Sequence, residues 1–299
     1  MLIRYYHAAA GFPTQPTWSA AIKNQHCATW KGLMVAGVRR HFLESNETWK
    51  GHVRKVLSGL RSTKKLPEIE QDGQLTTKKV GPKTGTLFTK TYNLYDNLER
   101  KMYKDRTGKL PVKLYRGMKY IMVLFGINSN GILVESMRNR TSGEMVKAYQ
   151  TLVDRLKERG FKPKLRILDN ECLTEFKEAI ARNGMDHQLV SPNDHHRNNA
   201  KKSLQTFKHH FVAILCGIDV TFPVQRWCRI LRQAEHQLNL LRKSRVNLKV
   251  SNFGILYGQH NYDANPFPPP GSAVQMHVIP GNRKTWEAHT KAGFYLGNS

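Results

Sequence analysis

The chain has 299 residues, and its 48 Lys and Arg against 22 Asp and Glu give a formal net charge of +26. This excess repels itself in a compact state and attracts polyanions, so nucleic acid is the expected partner. The sequence has no apolar run long enough to span a membrane and no apolar N-terminal stretch typical of a signal peptide. We therefore expect a nuclear or cytoplasmic protein that is not secreted and has no membrane partner.

Residues 1–65 are predicted to form a small helical region, with one helix beginning near Thr17 and another over 34–43. The histidines of this region are interpreted as ordinary side chains, because none of the four cysteines forms a CxxC pair that could anchor a zinc site. Residues 66–98 are rich in Lys, Gly and polar residues, which predicts a basic flexible linker. That linker is either a solvated spacer or a tether that binds phosphates.

Residues 99–247 show a regular alternation of strand and helix patterns. Strands are predicted at 101–105, 119–125, 132–137, 165–169 and 187–190, with a hairpin turn at 128–131. Helical spacing of apolar residues predicts helices from Ser142 to Gly160 and over 174–182, 199–216 and 225–241. This order predicts an α/β fold, an RNase H-like mixed central sheet flanked by helices.

Residues 248–299 are predicted to be a short β-rich C-terminal extension, truncated at its end. A Pro-rich connector over 265–271 precedes a strand at 272–279, and a second strand is predicted at 294–296. Because lone strands need a partner sheet, we expect this extension to pack on the core or to remain loose.

Asp169 stands at the end of the predicted strand 165–169 and is followed by Asn170 and Glu171. A carboxylate beside a core must be paired, hydrogen-bonded or bound to a metal. An Asp at this position also caps a following helix in many proteins. Taken by itself, the residue leaves both interpretations open.

Residues 99–245 resemble the integrase catalytic core of LTR retrotransposons and retroviruses. The order and spacing of short motifs carry this resemblance, and most of the chain takes part in it. The matching pieces are Asp105–Gly108, Arg116–Val123, Ile167–Glu171, the loop Pro192–Asn199, Thr206–Lys208, Ala234–Arg242, Trp286–His289 and Gly293–Gly297.

The resemblance implies a site in which two Asp and one Glu hold two divalent ions, Mg²⁺ or Mn²⁺, for DNA strand transfer. Asp105 and Asp169 take the positions of the two Asp as catalytic residues and metal ligands. The Glu position falls on Lys201, whose positive charge repels metal ions. The implied activity is a polynucleotidyl transferase with a degenerate active site, and weak or absent metal binding is expected.

Two acids could substitute for the missing Glu, namely Glu171 and Asp194, although two-metal geometry constrains ligand positions tightly. The resemblance also implies that the helix over 199–216 contacts a DNA end. The candidate nucleic-acid-binding residues there are Lys201, Lys202, Gln205 and Lys208. The alternative is a solvated basic helix face.

Three functions follow from these patterns. The first is a retrotransposon integrase fragment that binds nucleic acid and has lost strand transfer. The second is an active DDE transferase with a substitute acid, and the third is a host-adopted DNA-binding protein without chemistry. The expected partners are element ends and target DNA, together with further copies of the chain in a homo-oligomer.

Overall fold

The centre of the computed structural model is a five-stranded sheet with the strand order β3-β2-β1-β4-β5. The strands are β1 Lys101–Arg106, β2 Tyr120–Gly126, β3 Ile132–Met137, β4 Leu165–Leu168 and β5 Asp186–Leu189. β2 pairs antiparallel with β1 and β3, whereas β4 pairs parallel with β1 and β5. The predicted α/β class is confirmed, and the sheet is mixed.

The structure describes residues 1–42, 45–53, 101–106, 117–126, 129–163, 165–168, 174–189 and 199–297. The predicted linker of residues 66–98 and the polar loop before Asn199 lie outside these ranges. The described residues belong to one compact unit. No helix among them is both long and apolar enough to cross a membrane.

Side chains alternate along β2 between two cores, because successive strand residues point to opposite faces. The flanking helices are α5 Ser142–Glu158, α6 Thr174–Arg182, α7 Asn199–Cys216 and α8 Leu231–Leu241. Ile121, Val123 and Phe125 pack in a cluster with apolar residues of α7 and α8. Met122 and Leu124 pack on the other face, with α5 and α6. The sheet therefore lies between two helical layers.

β3 is an edge strand, so its outward backbone groups need partners from outside the sheet. The Asn239 side chain accepts a hydrogen bond from Ile132 N at 3.0 Å and donates one to Ile132 O at 2.7 Å. Glu235 Oε2 accepts from Val134 N at 2.8 Å, and the Arg155 guanidinium donates to Val134 O at 3.2 Å. Polar side chains of α8, spaced four residues apart, and of α5 thus close this edge.

The N-terminal helices pack on the same unit through a third core. They are α1 Leu2–Ala9, α2 Gln15–Lys23, α3 Val35–His41 and α4 Asn46–His52. Within this core the Trp30 ring lies 4.4 Å from the Tyr262 ring, and Leu240 of α8 belongs to the same cluster. The sequence patterns indicated α2 and α3, whereas α1 and α4 were not expected. Short helices of this kind depend on tertiary packing rather than on propensity.

The C-terminal residues contain α9 Asn252–Tyr257 and an antiparallel pair, β6 Ala273–His277 and β7 Thr290–Phe294. The strand predicted at 272–279 is present as β6. Its partner was predicted at 294–296, whereas β7 begins at residue 290 and ends at residue 294. The ladder explains the difference, because β6 pairs with β7 from Ala273–Phe294 to His277–Thr290. The partner strand is therefore the segment directly opposite β6.

The helix predicted over 225–241 is two elements. A 3₁₀ helix spans Val224–Ile230, and α8 begins at Leu231. Trp227 and Ile230 are both buried in the first element. Residues three apart align on one side of a 3₁₀ helix, so this geometry places both apolar side chains in the core.

In the helical layer that contains α7 and α8, His210 is buried and His236 is half-buried. Burial, followed by the nearby His52, lowers the pKa of His210 to about 3. Burial also lowers the pKa of His236 to about 4, with Glu235 acting in the opposite direction. Both imidazoles are therefore neutral in the folded chain at neutral pH.

We expect acid to destabilise the protein through these two histidines. Between the folded pKa and about 6.5, the unfolded chain binds the extra proton, so stability falls as the pH drops through this window. The expected loss is about 2 kcal/mol for His210 alone between pH 7 and pH 5. Urea unfolding at both pH values should show a smaller loss in His210→Gln than in the exposed control His277→Gln. Equal losses in the two variants would contradict this assignment.

Candidate nucleic-acid interface

Asp105 lies in β1, at the centre of the sheet. Its ladder partner on β2 is Val123, which is fully buried in the cluster beneath α7 and α8. The sequence pattern predicted a strand that ends at Asp105, whereas β1 continues one residue further to Arg106. The guanidinium of Arg106 donates to Met145 Sδ of α5 at 3.1 Å, on the opposite face of the sheet. The predicted first acid is therefore positioned on a strand that α7 covers.

β4 lies next to β1 and runs parallel to it. Lys101 pairs with Leu165 and Tyr103 with Ile167, so the paired residues are 64 positions apart (165 − 101). Asp105 and Asp169 have the same separation (169 − 105). β4 ends at Leu168, and Asp169 lies outside the described residues, as do the possible substitutes Glu171 and Asp194.

α7 packs against β1 and β2, with Phe207 and Phe211 in the core below it. Lys201 and Lys202, in its first turn, are exposed, and that turn contains no acid. The whole helix carries three lysines and no Asp or Glu. The residue at the implied Glu position is thus a cation on a helix that touches the strand of Asp105.

The exposed face of α7 continues along the helix. Lys201, Gln205 and Lys208 are all exposed at steps of four and three residues, which keep side chains on one helical face. Lys202 is exposed about 100° away around the helix axis. All four predicted nucleic-acid-binding residues therefore lie at the surface, and three of them form one stripe.

The flank of this stripe comes from the N-terminal region, which the sequence patterns did not indicate. Gly51 of α4 lies against His209 and Ala213 of α7, and a Cβ there would come within 2.7 Å of the His209 carbonyl oxygen. This close approach requires glycine and brings exposed Trp49 and Lys50 beside α7. A lone Gly in a short polar segment gives no sequence signal for such a contact.

The two-ion site that the resemblance implies lies partly outside the described residues, because Asp169 is not among them. No group of three His, Cys, Asp or Glu side chains able to hold a metal occurs in the part of the chain that the structure describes. In the first turn of α7, the helix expected to bring the third ligand, lysines stand where a hard cation needs carboxylates. We therefore derive no catalytic step through a metal.

Neither a protein-family model nor a curated protein matches the chain. Two solved structures with some similarity are retroviral. The catalytic core domain of BIV integrase has 14% sequence identity and a TM-score of 0.35, over 47% of this chain and 84% of that chain. The simian T-cell lymphotropic virus intasome in complex with PP2A regulatory subunit B56 gamma has 13% sequence identity and a TM-score of 0.43. This match covers 64% of this chain and 66% of that chain. Such low scores carry no argument about function, which rests on the residues themselves.

Proposed function

We propose that the chain is an RNase H-like integrase core that binds DNA and lacks strand-transfer activity. The first turn of α7 carries this proposal. Lys201 and Lys202 are exposed there, at the position where the resemblance to integrase cores implies the third carboxylate. The turn therefore suits a phosphate better than a metal ion.

The sheet supports the integrase part of the proposal. Three antiparallel strands followed by two parallel strands, in the order β3-β2-β1-β4-β5, make up the arrangement expected of an RNase H-like domain. The β1–β4 register has the same 64-residue offset (165 − 101) that separates Asp105 from Asp169. We infer that Asp105 and Asp169 retain the two Asp positions that the resemblance implies.

Electrostatics support the binding part of the proposal. The N-terminus of a helix carries a partial positive charge, which favours anions at that end. Lys201 and Lys202 add full charges to that end of α7, and Lys208 extends the charge along the same helix. Backbone N–H groups and lysines together favour phosphate oxygens. Element ends and target DNA are the proposed ligands, and further copies of the chain are the proposed protein partners.

The double variant Lys201→Ala/Lys208→Ala is expected to weaken binding to duplex DNA and to flatten its salt dependence. Each lost phosphate contact lowers the slope of log K against log salt by about 0.9. Fluorescence anisotropy across a salt series measures that slope, and the expected change for two contacts is about 2. The matched control is Lys147→Ala, an exposed lysine on α5, on the other side of the sheet. Equal losses of DNA affinity in both variants would contradict a specific role of α7 and would indicate binding to a general basic surface.

Lys201→Glu tests the loss of chemistry. We expect no strand transfer by the unchanged protein, because its α7 turn brings a cation where a carboxylate is needed. Calorimetric titration with Mn²⁺ should show tighter binding in Lys201→Glu than in the unchanged chain, whether or not activity returns. A tight two-ion site in the unchanged protein would instead indicate an active transferase with a substitute acid.

A further inference from the structure

β6 and β7 form a C-terminal hairpin whose base is attached to the unit and whose tip is exposed. Its base is fixed, because Gly271 N donates to Tyr295 O at 2.8 Å and Tyr295 N donates to Ser272 O at 2.9 Å. The Phe294 ring packs edge-on against Phe222 at 5.3 Å between centroids. Beyond this anchor nearly every residue from 275 to 292 is exposed.

A tight turn at the tip presents one large aromatic side chain. Glu287 N donates to Lys284 O at 3.0 Å, and Lys284 N donates to Glu287 Oε2 at 3.0 Å, which closes a four-residue turn. Trp286 is its third residue, and 98% of it is exposed. By contrast, Trp18, Trp30 and Trp227 are 0–2% exposed. The turn therefore presents the indole of Trp286 to solvent, where a flat ligand can cover it.

The charges around Trp286 indicate what that ligand is. Arg283, Lys284 and Lys291 stand against a single acid, Glu287, within residues 273–297. The carboxylate of Glu287 is engaged by the backbone of the turn. An exposed aromatic ring among cations is the arrangement on which nucleic-acid bases stack while their phosphates are neutralised.

We propose that this hairpin is a second nucleic-acid contact, at which an unpaired base stacks on Trp286 and cations of the hairpin hold the adjacent phosphates. The ligand is single-stranded, because bases within a duplex already stack on both faces and offer no free ring. This inference rests on the proposed nucleic-acid binding, but it uses residues separate from α7. It assigns unpaired strands to the hairpin and duplex DNA to α7.

The test measures anisotropy with a labelled oligothymidylate and, separately, with a labelled duplex. Trp286→Ala should weaken oligothymidylate binding by roughly 5- to 100-fold and leave duplex binding unchanged. Trp286→Phe should retain most of the affinity, since a smaller ring still stacks. The matched control is Tyr5→Ala, which removes a half-exposed aromatic ring of α1 and should change oligothymidylate binding little.

Tryptophan fluorescence provides a second readout. In a Trp49→Phe background, Trp286 is the exposed member of the four remaining tryptophans. Iodide should therefore quench the emission of Trp286 selectively, and oligothymidylate should quench the same emission. Unquenched emission on binding would overturn the stacking contact. Since Trp286 makes little buried contact, its variants should unfold at the same urea concentration as the parent.

The outcomes separate this inference from the proposed function. If Trp286→Ala binds oligothymidylate normally while Lys201→Ala/Lys208→Ala loses duplex, the hairpin proposal is wrong and the α7 proposal stands. If the parent binds neither nucleic acid, both are wrong. If Trp286→Ala changes only the oligomeric state in light scattering, the open hairpin is a contact between copies and the stacking proposal is overturned.

Discussion

Glu235→Leu is expected to lower the free energy of unfolding by about 3–5 kcal/mol. Glu235 is fully buried and forms an ion pair with Arg155. Its carboxylate also accepts from Val134 N at 2.8 Å and from the Tyr257 hydroxyl at 2.9 Å. The variant leaves a largely buried guanidinium and a strand N–H without their partner, and unpaired buried groups are costly.

Urea unfolding of three variants tests this network. Arg232→Met is the control, because Arg232 is 42% exposed and its guanidinium is 4.0 Å from Glu235. We expect it to cost less than about 1 kcal/mol, as for other partly exposed pairs. Arg155→Leu/Glu235→Leu should recover part of the loss, since no unpaired charge remains buried. A Glu235→Leu cost as small as that of Arg232→Met would show that the ion pair does not hold the β3 edge.

The network also bears on the candidate site. Glu235 and Asn239 cover the free edge of β3, and two strands away in the same sheet lies β1 with Asp105. An uncovered edge strand pairs readily with other chains. Loss of the α8 contacts should therefore produce aggregation together with lower stability, and light scattering during unfolding would detect it.

Most of the central sheet could be predicted because its signals are local. A continuous run of apolar and β-branched residues marks β2, and Asn130 with Gly131 marks the β2–β3 turn, where Asn130 takes a positive φ of 55°. The edge closure could not be predicted. Glu235 and Asn239 resemble solvent-facing residues of an amphipathic helix, and only their meeting with a strand distant in sequence explains their burial.

The candidate site was predictable in part for the same reason. The exposure of Lys201, Gln205 and Lys208 follows from helical spacing, which is a local property. The contact of α4 with α7 through Gly51 joins segments more than 150 residues apart, and a glycine gives no apolar pattern to announce it. Trp286 belongs to a motif of the resemblance, but its exposure depends on a turn over 284–287 that the sequence patterns did not predict.

Trp30→Ala should destabilise the whole unit rather than the N-terminal region alone. Trp30 is 2% exposed and packs against Tyr6 at 5.1 Å and Tyr262 at 4.4 Å between ring centroids. It therefore joins residues near the start of the chain to the segment after α9. Removing a fully buried Trp typically costs about 3–5 kcal/mol.

Two probes distinguish a shared unit from a separable N-terminal domain. Hydrogen exchange of β2 amides reports the sheet, and a label at Cys27, which is buried in the N-terminal core, reports its opening. In Trp30→Ala both probes should report unfolding at the same lower urea concentration. In Trp49→Ala, at a half-exposed position, the free energy of unfolding from either probe should change by no more than about 1 kcal/mol. If the Cys27 signal shifts while β2 keeps its protection, the N-terminal helices unfold independently. A common shift would mean that the face of α7 keeps its α4 flank only while the whole unit is folded.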